Sequence, residues 1–304
     1  MSEPSDHEQS PSEQPPPDGA PEIEPGEDRG FASDMGRLFL IPAVIVALSV
    51  VIFMLFTWIA GERRSARDYL QEVRNGVTGR RWQAAFELSR VLARDENERK
   101  DPRVVREIAG TLTDPEVTDP QVKRYLILAL EQIGDPSTAE AIRSLLGDED
   151  PEVRLYAARA LGSLRDSASA PLLREMLSDE DPAMRKMALH ALGRVGDRAA
   201  IPEMRARLED PVEDVRWNAA LGLAVLGDAS GEPLIRRMLD PAYLDGVAEI
   251  TEPQKVAARL AAVQGAFLIG GGGMRELIEQ VSGSDADLKV RDAALKALEA
   301  WPDE

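Results

Sequence analysis

Two sets of cations recur in this chain at one interval. Arg143, Arg174, Arg205 and Arg236 follow one another every 31 residues, as do Lys123, Arg154, Arg185 and Arg216, and Arg291 sits in the same local context as the second set. A guanidinium pairs with a carboxylate through two parallel hydrogen bonds, so such rows are suited to holding acidic groups. For the first set the spacing predicts a positive stripe that grips acidic segments of a partner protein, with Glu140, Glu175 and Glu203 beside it. The second set is expected to be structural. A partly buried ion pair at these positions would fix register more than it adds stability.

Little else in the sequence could carry a reaction. His7 lies in an acidic N-terminal tract and His190 stands alone in a helical segment; there is no cysteine. No HExxH, P-loop, GxSxG or dinucleotide-binding GxGxxG motif in a strand-helix setting occurs. The expectation is a non-enzymatic protein with no catalytic residue, metal or cofactor. A net charge of −18 repels a phosphate backbone, which argues against a nucleic-acid partner.

The elements that position the cations share the same period. Val122, Val153, Met184 and Val215 each lead a helical pattern. Counting the lead as zero, apolar residues fall at 0, 4, 7, 8 and 11, which is one helix face. Val153, Ala157, Ala160, Leu161 and Leu164 show it, and Val290, Ala294, Ala297, Leu298 and Trp301 close the series. Small residues at place 7 let helices approach closely. Asp119-Pro120, Asp150-Pro151, Asp181-Pro182 and Asp210-Pro211 read as an N-cap followed by proline in the first turn. Asp135, Asp166, Asp197 and Asp228 mark the turn into a second helix. Between Asp240 and Pro253 about ten residues are added, and the next unit reads from Val256 through Leu260, Val263 and Phe267, with Gln264 where leucine is expected. The insertion reads as a surface insertion with a loosened repeat, or else as a projecting loop at a contact site. A period of this kind is the signature of a stacked-repeat solenoid.

The segments DPEVRLYAARALGSLRD, DPAMRKMALHALGRVGD and DVRWNAALGLAVLGD resemble the short HEAT repeats of bacteria, the subgroup related to phycobiliprotein lyases. The resemblance covers roughly residues 80–300. It implies an all-α right-handed superhelix whose second helices line the concave side, and it does not imply one activity. A phycobiliprotein-lyase-like chromophore-handling protein is the alternative it suggests. A helical-repeat DNA glycosylase is opposed by the acidic balance.

Ahead of the repeats, residues 1–37 form an acidic, proline-rich tail. Through Asp34 it carries ten acids against Arg29, too little apolar surface to offset chain entropy, so it is expected to be disordered. Residues 38–61 hold no charge; at ~1.5 Å per residue they span roughly 36 Å, enough for a ~30 Å hydrocarbon core. They read as a single transmembrane helix, residues 62–80 as a juxtamembrane linker, and 81–304 as an α-solenoid of HEAT-like hairpins. Arg63, Arg64, Arg67, Arg74 and Arg80 outnumber Arg29 and Arg37 across the span, which places the repeats in the cytoplasm and the tail outside the inner membrane. The functional expectation is a membrane-anchored scaffold or adaptor for protein partners with acidic segments.

Overall fold

The computed structural model describes residues 31–60, 64–248 and 250–302, with backbone alone for 31–39, 41, 56–60 and 78. The chain divides into two units, Met1–Arg63 and Arg64–Glu304.

The first unit contains helix α1 (Phe31–Ala60). Residues 1–30 of the expected disordered tail lie outside the described residues. Residues 31–37, assigned to that tail from sequence, are instead the start of α1, since no proline interrupts the helix before Pro42. Among the described residues no helix is long and apolar enough to cross a membrane.

The second unit is all helical among its described residues. It starts earlier than the sequence implies. Helix α2 (Ala66–Asn75), within the expected linker, buries Ala66, Leu70 and Val73 in the common core. That i, i+4, i+7 spacing makes a packing face, so α2 is the first layer of the stack. Helices α3 (Arg81–Arg94), α4 (Glu96–Lys100) and α5 (Pro102–Leu112) form a helical hairpin, with Ala85, Leu88, Leu92, Val104, Ile108 and Leu112 buried. Phe86 is exposed and packs edge-on to Tyr125.

The repeats follow. Long first helices α6 (Pro120–Ile133), α8 (Pro151–Leu164), α10 (Pro182–Val195) and α12 (Glu213–Val225) alternate with short second helices α7 (Ala139–Arg143), α9 (Ala170–Glu175), α11 (Ile201–Ala206) and α13 (Glu232–Met238). Val122, Val153, Met184 and Val215 are all 0–1% exposed at equivalent places. Asp119, Asp150 and Asp181 cap their helices, accepting from the amides of Gln121 (2.9 Å), Val153 (3.0 Å) and Ala183 (2.8 Å). Asp210 does not. Helix α12 begins two residues later, with Val212 at its N-cap, and Asp210 is in register with Asp148 and Asp179. Sequence reading followed the Asp-Pro pair and placed it two residues out of phase.

The segment after Asp240 folds as α14 (Pro241–Asp245), then α15 (Glu252–Ile269), α16 (Gly272–Ser284) and α17 (Leu288–Glu299). The added residues are a packed wedge and not a projecting loop. Leu244 is fully buried, the Trp217 Nε1–H donates to the Tyr243 hydroxyl at 3.2 Å, and that hydroxyl donates to Glu213. Register in α15 also differs from the expected one. Its buried stripe is Ala258, Ala262, Gly265 and Ala266, which restores the 0, 4, 7, 8 pattern from Ala258 instead of Val256. The larger Val256, Leu260 and Phe267 are only partly buried beside it. Close helix stacking selects the small residues for the interface, and the large ones mislead a reading by hydrophobicity.

Candidate partner-binding groove

Apart from Arg291, both cation sets are engaged by carboxylates or carbonyls. In the second set, Lys123 reaches Asp148 at 2.6 Å, and Arg185 holds Asp210 through two bonds of 2.9 and 2.8 Å. Arg185 also donates to the carbonyls of Asp179 (2.9 Å) and Glu180 (3.0 Å), tying two successive inter-repeat loops together. Arg154 donates to the carbonyls of Asp148 and Glu149, and Arg216 to those of Asp210 and Pro211. The corrected register exposes a member that sequence reading missed: Arg259, one place after Ala258, pairs with Asp285 at 3.1 Å.

The expected positive stripe is not a row of free cations. Arg143 donates twice to Asp166 at 3.0 Å, Arg174 lies 3.4 Å from Asp197, and Arg205 pairs with Asp228. Each acid is the turn aspartate of the following repeat, so stacking itself neutralises the row. Hydrogen bonding from Arg205 first, against a smaller effect of burial, holds the Asp228 carboxyl at about 2. Arg236 has no such aspartate ahead, because Gly271 occupies that place, and it bonds Glu232 at 2.9 Å.

A concavity lies elsewhere. Places 3, 6 and 10 of the first helices face one side and build a groove, lined in part by His190, Arg194, Asn218, Leu221, Val225 and Leu268, of about 770 Å³. A second hollow of about 680 Å³ shares Asn218, Leu221 and Ala261 with it and is bounded by Val247 and Ile250 of the inserted wedge. The two adjoin between α12 and α15. Here the hydrophobic core also divides, one part ending with Val215, Ala219 and Leu223 and the other starting with Trp217, Ala220 and Ala224. The resemblance implies a concave side lined by second helices; this groove is lined by first helices.

The floor is apolar, with Val225 49% and Leu268 41% exposed. One end is cationic. Arg165 and Arg194 line it, and among the described residues neither has a carboxylate in ion-pair range. His190 lies beside them, its pKa lowered by partial burial and then by Arg194. Arg165 is the only non-glycine residue with positive φ (54°) among the described residues, while Gly134, Gly196, Gly227 and Gly270 hold the same place in other repeats. This backbone region disfavours a side chain by ~1–2 kcal/mol. Arg165→Gly is therefore expected to raise the unfolding free energy by about 1 kcal/mol after the greater entropy of glycine is counted, as read by urea denaturation. The sequence signal for this residue is the single break in the glycine series, visible only once the turns are aligned. Among the described residues no group of three or more His, Cys, Asp or Glu side chains gathers as a metal site.

Against this geometry stand the comparisons. The HEAT repeats family model matches residues 115–182 and 175–252, so this segment consists of HEAT repeats. Comparison with curated proteins finds no match. Among solved structures, the complex of CpcE and CpcF of phycocyanin lyase from Nostoc sp. PCC7120 is similar at 22% identity and TM-score 0.56, covering 78% of this chain and 88% of that one. A protein of E. coli, YibA, is similar at 15% identity and TM-score 0.48, covering 80% and 84%. A designed armadillo repeat protein in complex with the peptide (KR)4 is similar at 15% identity and TM-score 0.44, covering 79% and 100%. At these identities the first of these establishes the all-helical repeat fold and nothing of activity.

Proposed function

We propose that this protein is a binding scaffold, without catalytic activity, that holds an apolar segment bearing carboxylates from a partner protein in the groove over α8, α10, α12 and α15. The observation that carries this reading is an exposed apolar floor ending at two arginines without carboxylate partners. Arg143, Arg174, Arg185 and Arg205 already face acids, whereas Arg165 and Arg194, at the end of the groove, are open to an incoming carboxylate. Anchoring through residues 38–61 belongs to the same proposal. Its support is the uncharged run and the exposure of Val44, Ile45, Val46 and Val50 around α1, since a helix apolar on all sides is stable in lipid or against another chain. With the repeats on the arginine-rich cytoplasmic side, tethering raises the effective concentration for membrane-bound partners.

Photocrosslinking from Leu221 in cells, followed by mass spectrometry, tests the reading. The expected result is a discrete crosslinked segment rich in Asp or Glu next to apolar residues. Arg165→Glu with Arg194→Glu should reduce its yield at least ~10-fold, the loss of two charge-assisted contacts, while thermal unfolding is retained. Equal yields would remove the groove from consideration. A linear tetrapyrrole with propionate groups is the second reading that an apolar floor and paired arginines favour; an absorbance titration with bilin separates it from the first.

A further inference from the structure

The outer face of α17 has the chemistry of an interior surface. Five residues after each lead, the preceding first helices carry Ile127, Ala158, Leu189, Ala220 and Val263, none more than 2% exposed. The next first helix covers each of them. In α17 the same place is Leu295, 51% exposed, and Leu288 on the same stripe is 70% exposed. Arg291 occupies the ladder position from which Lys123, Arg185 and Arg259 reach Asp148, Asp210 and Asp285. Its Nε is buried without a hydrogen-bond partner, and among the described residues no carboxylate lies within ion-pair reach of it. Glu299, farther along α17, is exposed.

We propose that α17 is a self-association surface on which two copies of this chain pack antiparallel, about a two-fold axis through Leu295. The stripe is self-complementary. Arg291 lies four residues before Leu295 and Glu299 four after it, so antiparallel pairing brings Arg291 of one copy level with Glu299 of the other, and does so twice. Leu295 then meets its own counterpart, as an isologous interface requires. Another protein could supply a carboxylate for Arg291; a second copy also supplies the cation for Glu299. One helix face falls below the ~1,200–2,000 Å² of stable complexes, so the dimer forms reversibly with concentration.

The chain has no cysteine, so Leu295→Cys introduces a single thiol. In the purified full chain it should oxidise to a disulfide dimer at least ~10-fold faster than Ser230→Cys, which lies on an exposed turn, because only paired helices bring Cα atoms within the ~4.4–6.8 Å of a disulfide. Sedimentation should show concentration-dependent dimers that weaken at least ~10-fold in Arg291→Glu and in Glu299→Arg, each leaving like charges opposed. The double variant should recover dimerisation. Monomers at every concentration, or equal crosslinking at the two cysteines, overturns the proposal. Failure of the double variant to recover, with its helicity intact by circular dichroism, overturns the antiparallel pairing.

Discussion

Asp210→Ala is expected to destabilise the repeat unit by about 3–5 kcal/mol, the range for stranding a buried charge. The Arg185 side chain is 9% exposed and that of Asp210 is fully buried, and two hydrogen bonds of 2.9 and 2.8 Å join them. Burial pushes the Asp210 carboxyl up, but bonds from Arg185 and the Val212 amide outweigh it and hold the group below the usual carboxylate range. Removing the carboxylate leaves a guanidinium without its counter-charge, frees the Val212 amide, and takes away the anion 3.6 Å from Arg207. The double variant Arg185→Met, Asp210→Ala should recover most of the loss, because apolar side chains replace buried ion pairs at little net expense. Urea denaturation of the four proteins at pH 7 reads both effects. The pH dependence has a definite sign. A carboxyl whose folded pKa is depressed contributes fully above its unfolded value near 3.8 and loses that contribution as pH falls through the lower folded value. The difference between the wild-type protein and Asp210→Ala should therefore narrow in acid. A gap that stays constant from pH 7 into that range would mean the stabilisation is not electrostatic.

The second large effect comes from a hydrogen atom. Gly231→Ala is expected to cost about 1–3 kcal/mol, the usual range for overpacking. A Cβ at this position would stand 2.6 Å from the Ala220 Cα and 2.9 Å from its carbonyl oxygen, and the backbone of α12 has no flexible end to yield. The result is unexpected from sequence, since the equivalent residues Thr138, Ser169 and Ala200 all carry a Cβ and are buried. In the fourth repeat the turn lies closer to its first helix. Gly147→Ala is the control. Nothing lies within 4 Å of a Cβ there, and the change should stay within ~0.5 kcal/mol. Equal losses at the two sites in chemical denaturation would show that the contact with Ala220 does not set the value.

The repeat architecture was legible because its signals are local. Val122, Val153, Met184 and Val215, the small residues at place 7 and the capping aspartates Asp119, Asp150 and Asp181 each act within one helix or between neighbours, and their 31-residue spacing reports them directly. Legibility failed where the local signal was degenerate. Asp210-Pro211 has the composition of a helix start but lies two residues earlier in the loop, because Val212 took the cap. Val256 and Leu260 outweigh Ala258 and Ala262 in hydrophobicity, yet helix spacing gives the interface to the alanines.

The candidate site was legible only in its ingredients. By itself the amino-acid sequence determined that identical helical units stack, which faces they bury and where cations recur, because propensity, capping and periodicity are properties of neighbours in the chain. The tertiary structure alone decided which cations meet an acid. Asp166, Asp197 and Asp228 are brought to Arg143, Arg174 and Arg205 by the advance from one repeat to the next, and the groove between α12 and α15 exists because the inserted wedge meets Trp217 and Glu213. Charge pairing and concavity depend on distances between residues far apart in sequence, and no periodicity encodes those distances until the helices are packed.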